Sequence, residues 1–122
     1  MGKAVVDGVL DAALAYVAAC TRLDVVSDVG TPTDLTGSLA DVTLTAGAGN
    51  GDYTIGNGDT NGRKLTVLQQ ADAPVDASGT AKHIVLSLSG TIRLVTTCTD
   101  QVLTQGNTVT FPAFDYELAD PT

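Results

Sequence analysis

Tryptophan is absent from this 122-residue chain, and phenylalanine and tyrosine together make up only 4% of it. A core must therefore be built from Val, Leu, Ile, Ala and Thr, and β-branched side chains pack best on pleated surfaces. Glutamate is almost missing as well: Glu117 is the one exception among fourteen acids. Aspartate favours turns and caps where glutamate favours helices, so the acids read as solvated loop residues. Cations are few, and Lys3, Arg22, Arg63, Lys64, Lys82 and Arg93 are scattered in a chain of formal charge −8. A phosphate footprint needs clustered Lys and Arg, which argues against a nucleic-acid partner. No apolar run approaches the roughly 18 residues of a membrane span. Asp7 and Asp11 interrupt the N-terminal apolar segment, so no signal peptide is evident. Cys20 and Cys98 are the only cysteines and form no CxxC pattern. Their apolar and Thr neighbours predict buried free thiols. A disulfide between them would require an oxidising compartment, and the sequence leaves that open.

What is present points to β structure. Hydrophobic residues reach 43%, above a disordered composition, and thirteen glycines supply turns. The length suits a single domain over 1–122, with a helix over about 7–21 and a β domain over about 23–119. In "VVDGVLDAALAYVAAC", Val6, Leu10, Ala13, Leu14 and Val17 recur at helical spacing as one apolar stripe. Asp7 and Asp11 suit its start, and Arg22 its end. Such a stripe has to lie against a sheet or a neighbouring subunit. Strands are predicted over Leu23–Val26, Asp41–Thr45, Asp52–Ile55 and Arg63–Gln70. The intervening "SDVGTPTDLTGSLA" reads as a surface loop with room for one helical turn after Pro32. Further strands follow around Ile84–Leu88, Ile92–Thr96, Val102–Leu103, Thr108–Phe111 and Phe114–Leu118. The expected fold is mainly β, an antiparallel sandwich or barrel of about seven short strands with one N-terminal helix.

The segment "HIVLSLSGTIRLVTT" sets a register problem. A two-residue loop at Ser89–Gly90 pairs Leu88 with Thr91 and Leu86 with Arg93, which places a charge on the apolar face. A three-residue loop pairs Leu88 with Ile92 and Leu86 with Leu94, and the alternation favours it. The opposite face, with His83, Val85, Arg93 and Val95, is half apolar and suggests a sandwich edge or a contact with another chain.

Residues suited to chemistry are sparse. "GNGDTNG" (56–62) alternates Asn57, Asp59 and Asn61 before a glycine, like the opening of a calcium loop. Counting from Asn57, however, the position for a bidentate Glu is Leu68, so the segment reads as a hairpin loop. His83 is the only histidine; Ser78, Ser87 and Ser89 are near it in sequence, but none sits in a nucleophile elbow. Gly47, Gly49 and Gly51 lack the lysine and helix of a phosphate loop. Asp52, Asp59 and His83 are the only candidates for catalysis. The sequence predicts no enzyme, no metal site and no cofactor.

Two regions carry a family resemblance. The first is "GVLDAALAYV" running into "LDVVS" and a Pro-Thr loop. The second comprises "GNGDTNGRKLTV", "VDASGTAKHIVL", "LVTTCT" and "GNTVTFPAFDYELADP". Together they span nearly the whole chain, which resembles small tailed-bacteriophage virion proteins encoded among head genes. The resemblance brings no catalytic motif. It implies a structural virion protein, foremost a capsid decoration (cement) protein on the outer surface of the head. Its partner would be the major capsid protein, whose subunit contacts it stabilises. It would be a homo-oligomer, dimer or trimer, assembled in the host cytoplasm, with neither nucleic acid nor membrane as partner. A neck, tail or host-adhesion module, or a carbohydrate- or calcium-binding β-sandwich, are the alternatives.

Overall fold

The computed structural model describes residues 7–49, 51–59 and 62–118. These residues form one helix and nine antiparallel strands in three sheets, with no closed barrel. They fall into two compact units, the first from 7–19, 45–69 and 113–118 and the second from 20–44 and 70–112.

In the first unit, α1 (Asp7–Ala18) packs on a three-stranded sheet. The strands are β3 (Tyr53–Asn57), β4 (Arg63–Val67) and β9 (Phe114–Leu118), in the order β3-β4-β9. Register places Tyr53 opposite Val67, Leu65 opposite Tyr116 and Val67 opposite Phe114. Strand alternation therefore gathers these apolar side chains on one face and Lys64, Thr66 and Asp115 on the other. Leu10, Leu14, Val17 and Ala18 are the buried helix positions. Ala13, assigned to the stripe from sequence, is exposed, and Val6 lies outside the described residues. Arg63 ties helix to sheet: its Nε donates to Asp11 Oδ1 at 2.7 Å. The helix ends at Ala18, short of the predicted 21. Its last turn is closed by the Ala19 N–H on the Ala15 carbonyl at 3.1 Å. Thr21 then donates its N–H to the Ser87 carbonyl at 3.2 Å, so the chain is already committed to the next strand.

The second unit holds a four-stranded sheet in the order β2-β1-β6-β7. Its strands are β1 (Arg22–Val26), β2 (Ser38–Thr43), β6 (Gly79–Leu88) and β7 (Thr91–Leu103). A two-stranded ribbon pairs β5 (Gln70–Pro74) with β8 (Thr108–Phe111). The sequence reading missed β5, whose alternation is poor and which contains Pro74. Proline is tolerated there because the ribbon is all edge. β2 starts three residues earlier than predicted, and the two segments read separately around Ile92 and Val102 are one 13-residue strand.

The β6–β7 register resolves in a way the alternation did not anticipate. The turn is the two-residue one: Leu88 pairs with Thr91, and both Ser89 (φ 50°) and Gly90 (φ 82°) have positive φ. That combination is the tight primed turn favoured by strand twist, and only a glycine adopts it without cost. The ladder then shifts between Leu86 and Ser87, so that Ser87 faces Ile92 and Leu86 faces Leu94. The bulge absorbs Arg93, which keeps the charge out of the apolar row without lengthening the turn. Leu86 with Leu94 is thus the predicted pair, and Leu88 with Ile92 is not.

One face of this sheet contains Leu23, Val25, Ile84 and Leu86. The opposite face, read from sequence as half apolar, is covered in part, with His83, Arg93 and Val95 half-buried. Val26 and Val85 on it are fully buried, and so is Asp24. The 27–37 loop is tied to this side through His83, whose Nδ1–H donates to the Asp28 carbonyl at 3.0 Å. The loop forms turns and bends with no helical turn after Pro32. Gly37 lies close under the Asp28 carboxylate, which would have to swing aside to admit a Cβ there. Asp34 closes a small turn by accepting the Thr36 N–H at 3.0 Å.

Candidate functional site

Most of the residues singled out for chemistry are engaged in local structure. Asn57 Oδ1 accepts from Arg63 Nη1 at 2.8 Å, and Asp59 Oδ1 from Lys64 Nζ at 2.7 Å. Both thereby act as anchors of the hairpin whose last rungs are Asn57 opposite Arg63 and the Gly58 N–H on the Gly62 carbonyl. Asn61 lies outside the described residues. The Asp52 carboxylate accepts the Thr45 N–H and closes the glycine-rich loop between them. Ser78 Oγ accepts the Gln105 N–H at 2.9 Å, and Ser87 Oγ is buried with no hydrogen-bond partner among the described residues. Asp52 and Asp59 belong to the first unit and His83 to the second. Among the described residues no three His, Cys, Asp or Glu side chains are grouped to hold a metal ion.

Cys20 and Cys98 form no disulfide. Cys20 is fully buried and Cys98 half-buried, so the expectation of two buried thiols holds for Cys20 alone. Burial pushes both thiols above their ordinary pKa; Arg93 opposes the shift at Cys20, while Asp100 adds to it at Cys98. A raised pKa removes the thiolate that a nucleophile needs.

The second unit does present a surface. The outer edge of β7 has no strand against it among the described residues, since the sheet ends there. The other end of the sheet, β2, is clasped. Ala40 bridges to Val75, and the N–H groups of Asp76 and Ala77 reach the Leu39 carbonyl at 2.7 and 3.2 Å. Beside β7, where the chain turns through 104–107 into β8, the two strands enter different sheets. An open groove of about 170 Å³ lies there, floored by Ala81, Ile84, Leu103, Val109 and Phe111, with Cys98 in its wall. Thr99, Gln101 and Leu103 join Cys98 in lining the groove, because a break in register between Thr97 and Gln101 interrupts the alternation; past it, Val102 lies on the other side from Gln101 and Leu103. Val102 is 75% exposed, and Asp100 is paired with Lys82 at 2.7 Å. The sequence reading split β7 in two and so did not find this edge. The alternation of Thr97, Thr99 and Gln101 with Cys98, Asp100 and Val102 has too little hydrophobic contrast to signal a strand.

No helix among the described residues is long and apolar enough to cross a membrane. Compared with known proteins, the chain matches no family model, no curated protein and no solved structure at a significant level.

Proposed function

We propose that this chain is a structural protein of a tailed-bacteriophage virion, a decoration (cement) protein that binds the outer surface of the head. It acts by adhesion, holding neighbouring major capsid subunits together without making or breaking a bond. The observation that carries the reading is the long edge strand β7, whose exposed second half ends at Val102 beside an apolar groove. Exposed edges accept strands from other chains, and of the features that blunt them (Lys, Pro, a covering loop, a bulge) this half of β7 carries only a bulge, between Thr97 and Gln101. The formal charge of −8 supports a place outside the shell, since packaged DNA repels an acidic surface. The segments quoted above for the resemblance supply the particle context.

The test is made on purified particles. Densitometry against the major capsid protein should give a copy number in proportion to the capsid lattice, and particles lacking the chain should lose integrity on heating or in low salt. A few copies per particle would place it in a neck or tail, and unchanged particle stability would end the cement reading.

A further inference from the structure

We propose that the free edge of β7 from Thr97 to Val102, with the groove beside it, docks an extended segment of another protein as a fifth strand of the β2-β1-β6-β7 sheet. The segment carries one branched aliphatic side chain for the groove and is flanked by lysine or arginine. This deepens the function proposed above, on which it rests, by naming the kind of capsid segment that the chain would hold.

Three features select this occupant. The first is backbone polarity. Thr97 and Thr99 to Val102 are exposed along the edge, and every second N–H and C=O of an edge strand points outward unpaired. No proline and no lysine interrupts this half of β7, whereas β5 carries Pro74; each holds one break in register, this half of β7 between Thr97 and Gln101 and β5 beside Asp72. The clasp on β2 leaves β7 as the open end of the sheet among the described residues.

The second is size and polarity. A volume of about 170 Å³ is below the roughly 300–1,000 Å³ of a small-molecule pocket, and the floor is apolar. It suits a single aliphatic side chain. A strand laid along β7 would direct alternate residues into the groove over Gln101 and Leu103, and the residues between them onto Val102.

The third is charge. Asp exceeds Lys and Arg in the second unit, and two of its cations are already committed, Arg22 to Asp24 and Lys82 to Asp100. Asp100 is offset by Lys82, which leaves the exposed Asp72 of the adjoining ribbon as the acid nearest this end in the fold, while Arg93 lies toward the far end of β7. An incoming strand with acidic flanks is repelled there, and one with basic flanks is favoured. A second copy of this chain shares the acid excess and is the poorer occupant.

The experiment uses the full chain and a fluorescein-labelled peptide of alternating threonine and aliphatic residues ended by lysines, with a glutamate-ended counterpart. The lysine-ended peptide should give saturable anisotropy, and the glutamate-ended one should bind at least about tenfold more weakly, a difference of about 1.4 kcal/mol. Bound peptide should slow maleimide labelling of Cys98 and leave Cys20 unchanged. Val102→Lys, at an exposed site where folding is unaffected, should weaken the lysine-ended peptide and strengthen the glutamate-ended one. Absence of saturable binding, equal binding of the two peptides, or indifference to Val102→Lys would overturn the proposal. So would a dimer in sedimentation that Val102→Lys dissolves, because the edge would then belong to a second copy. These measurements use the isolated chain, so their failure is separable from failure of the particle assay.

Discussion

The Asp24 carboxylate, wholly withdrawn from solvent, accepts two hydrogen bonds from the Arg22 guanidinium two residues before it, at 2.8 and 2.9 Å. Both residues lie on the same face of β1, and Ser38 Oγ on β2 adds a third bond at 2.6 Å. The pair is asymmetric. Arg22 keeps 46% of its side chain exposed, whereas Asp24 has no route to water.

Removing either partner should therefore have unequal cost. Arg22→Ala strands a buried charge with only the Ser38 bond and is expected to destabilise by about 3 kcal/mol. Asp24→Asn removes the charge, leaves Arg22 free to turn to water, and should cost about 1.5 kcal/mol. Urea unfolding midpoints of the two variants give the comparison; a larger loss for Asp24→Asn would contradict this account.

A second pair predicts a pH dependence. The Asp41 carboxyl is held above the usual carboxylate range, first by burial and then by a hydrogen bond with Asp76; Asp24 and Asp76 add repulsion, and Arg22 opposes the shift. A carboxyl whose pKa is raised by folding binds its proton more tightly in the folded state. Its contribution is thus fully present below the unfolded pKa of about 3.9 and is lost as pH rises through the folded value. Asp34 works in the opposite sense, because the Thr36 N–H holds its pKa down, and its contribution is lost as pH falls. Asp76→Asn should raise Tm at pH 7 relative to the parent, and the gap should narrow as pH drops toward 4. A gap that is constant over this range would refute the pairing.

Ser87 buries a hydroxyl that has no partner among the described residues. Ser87→Ala removes that desolvation cost and should stabilise by about 1 kcal/mol, since the cavity left by one oxygen is small. Differential scanning calorimetry reads the outcome, and a clear loss of stability would mean that the hydroxyl is satisfied in solution.

The Ser89–Gly90 turn offers a paired test. Ser89 has positive φ with no side-chain advantage there, so Ser89→Asn is expected to gain about 0.5 kcal/mol. Gly90→Ala should lose about 1 kcal/mol at φ 82°. Equal stability of the two variants would argue against the primed turn.

The thiols should react in order. Cys98 is expected to take up a disulfide reagent before Cys20, and both slowly at pH 7, because burial keeps each thiol protonated. The rates should climb steeply with alkaline pH. Fast reaction of Cys20 in the native chain would show that its burial is broken by an opening motion.

Much of the local structure could be read from the residues. β9 falls where the alternation of Phe114, Tyr116 and Leu118 placed it, and β8 ends before Pro112 as a strand must. The hairpin around "GNGDTNG" was legible because glycine and asparagine admit the needed backbone angles. What failed did so for want of contrast. β5 contains Pro74 and two exposed residues in a row, and the second half of β7 alternates threonine with polar residues, so neither shows a hydrophobic period. The candidate surface was missed with them, since a groove and an open edge are properties of neighbours and not of a motif.

By itself the sequence determined the class of the fold, because a chain poor in aromatics and glutamate but rich in β-branched residues, glycine and aspartate favours strands and tight turns over helices. Only the tertiary structure decided which alternation won at Arg93. Turn geometry and core burial made conflicting demands on one ladder, and a bulge satisfied both. It also decided that β2 is clasped and β7 open, since an edge exists only once every other strand has found its partner.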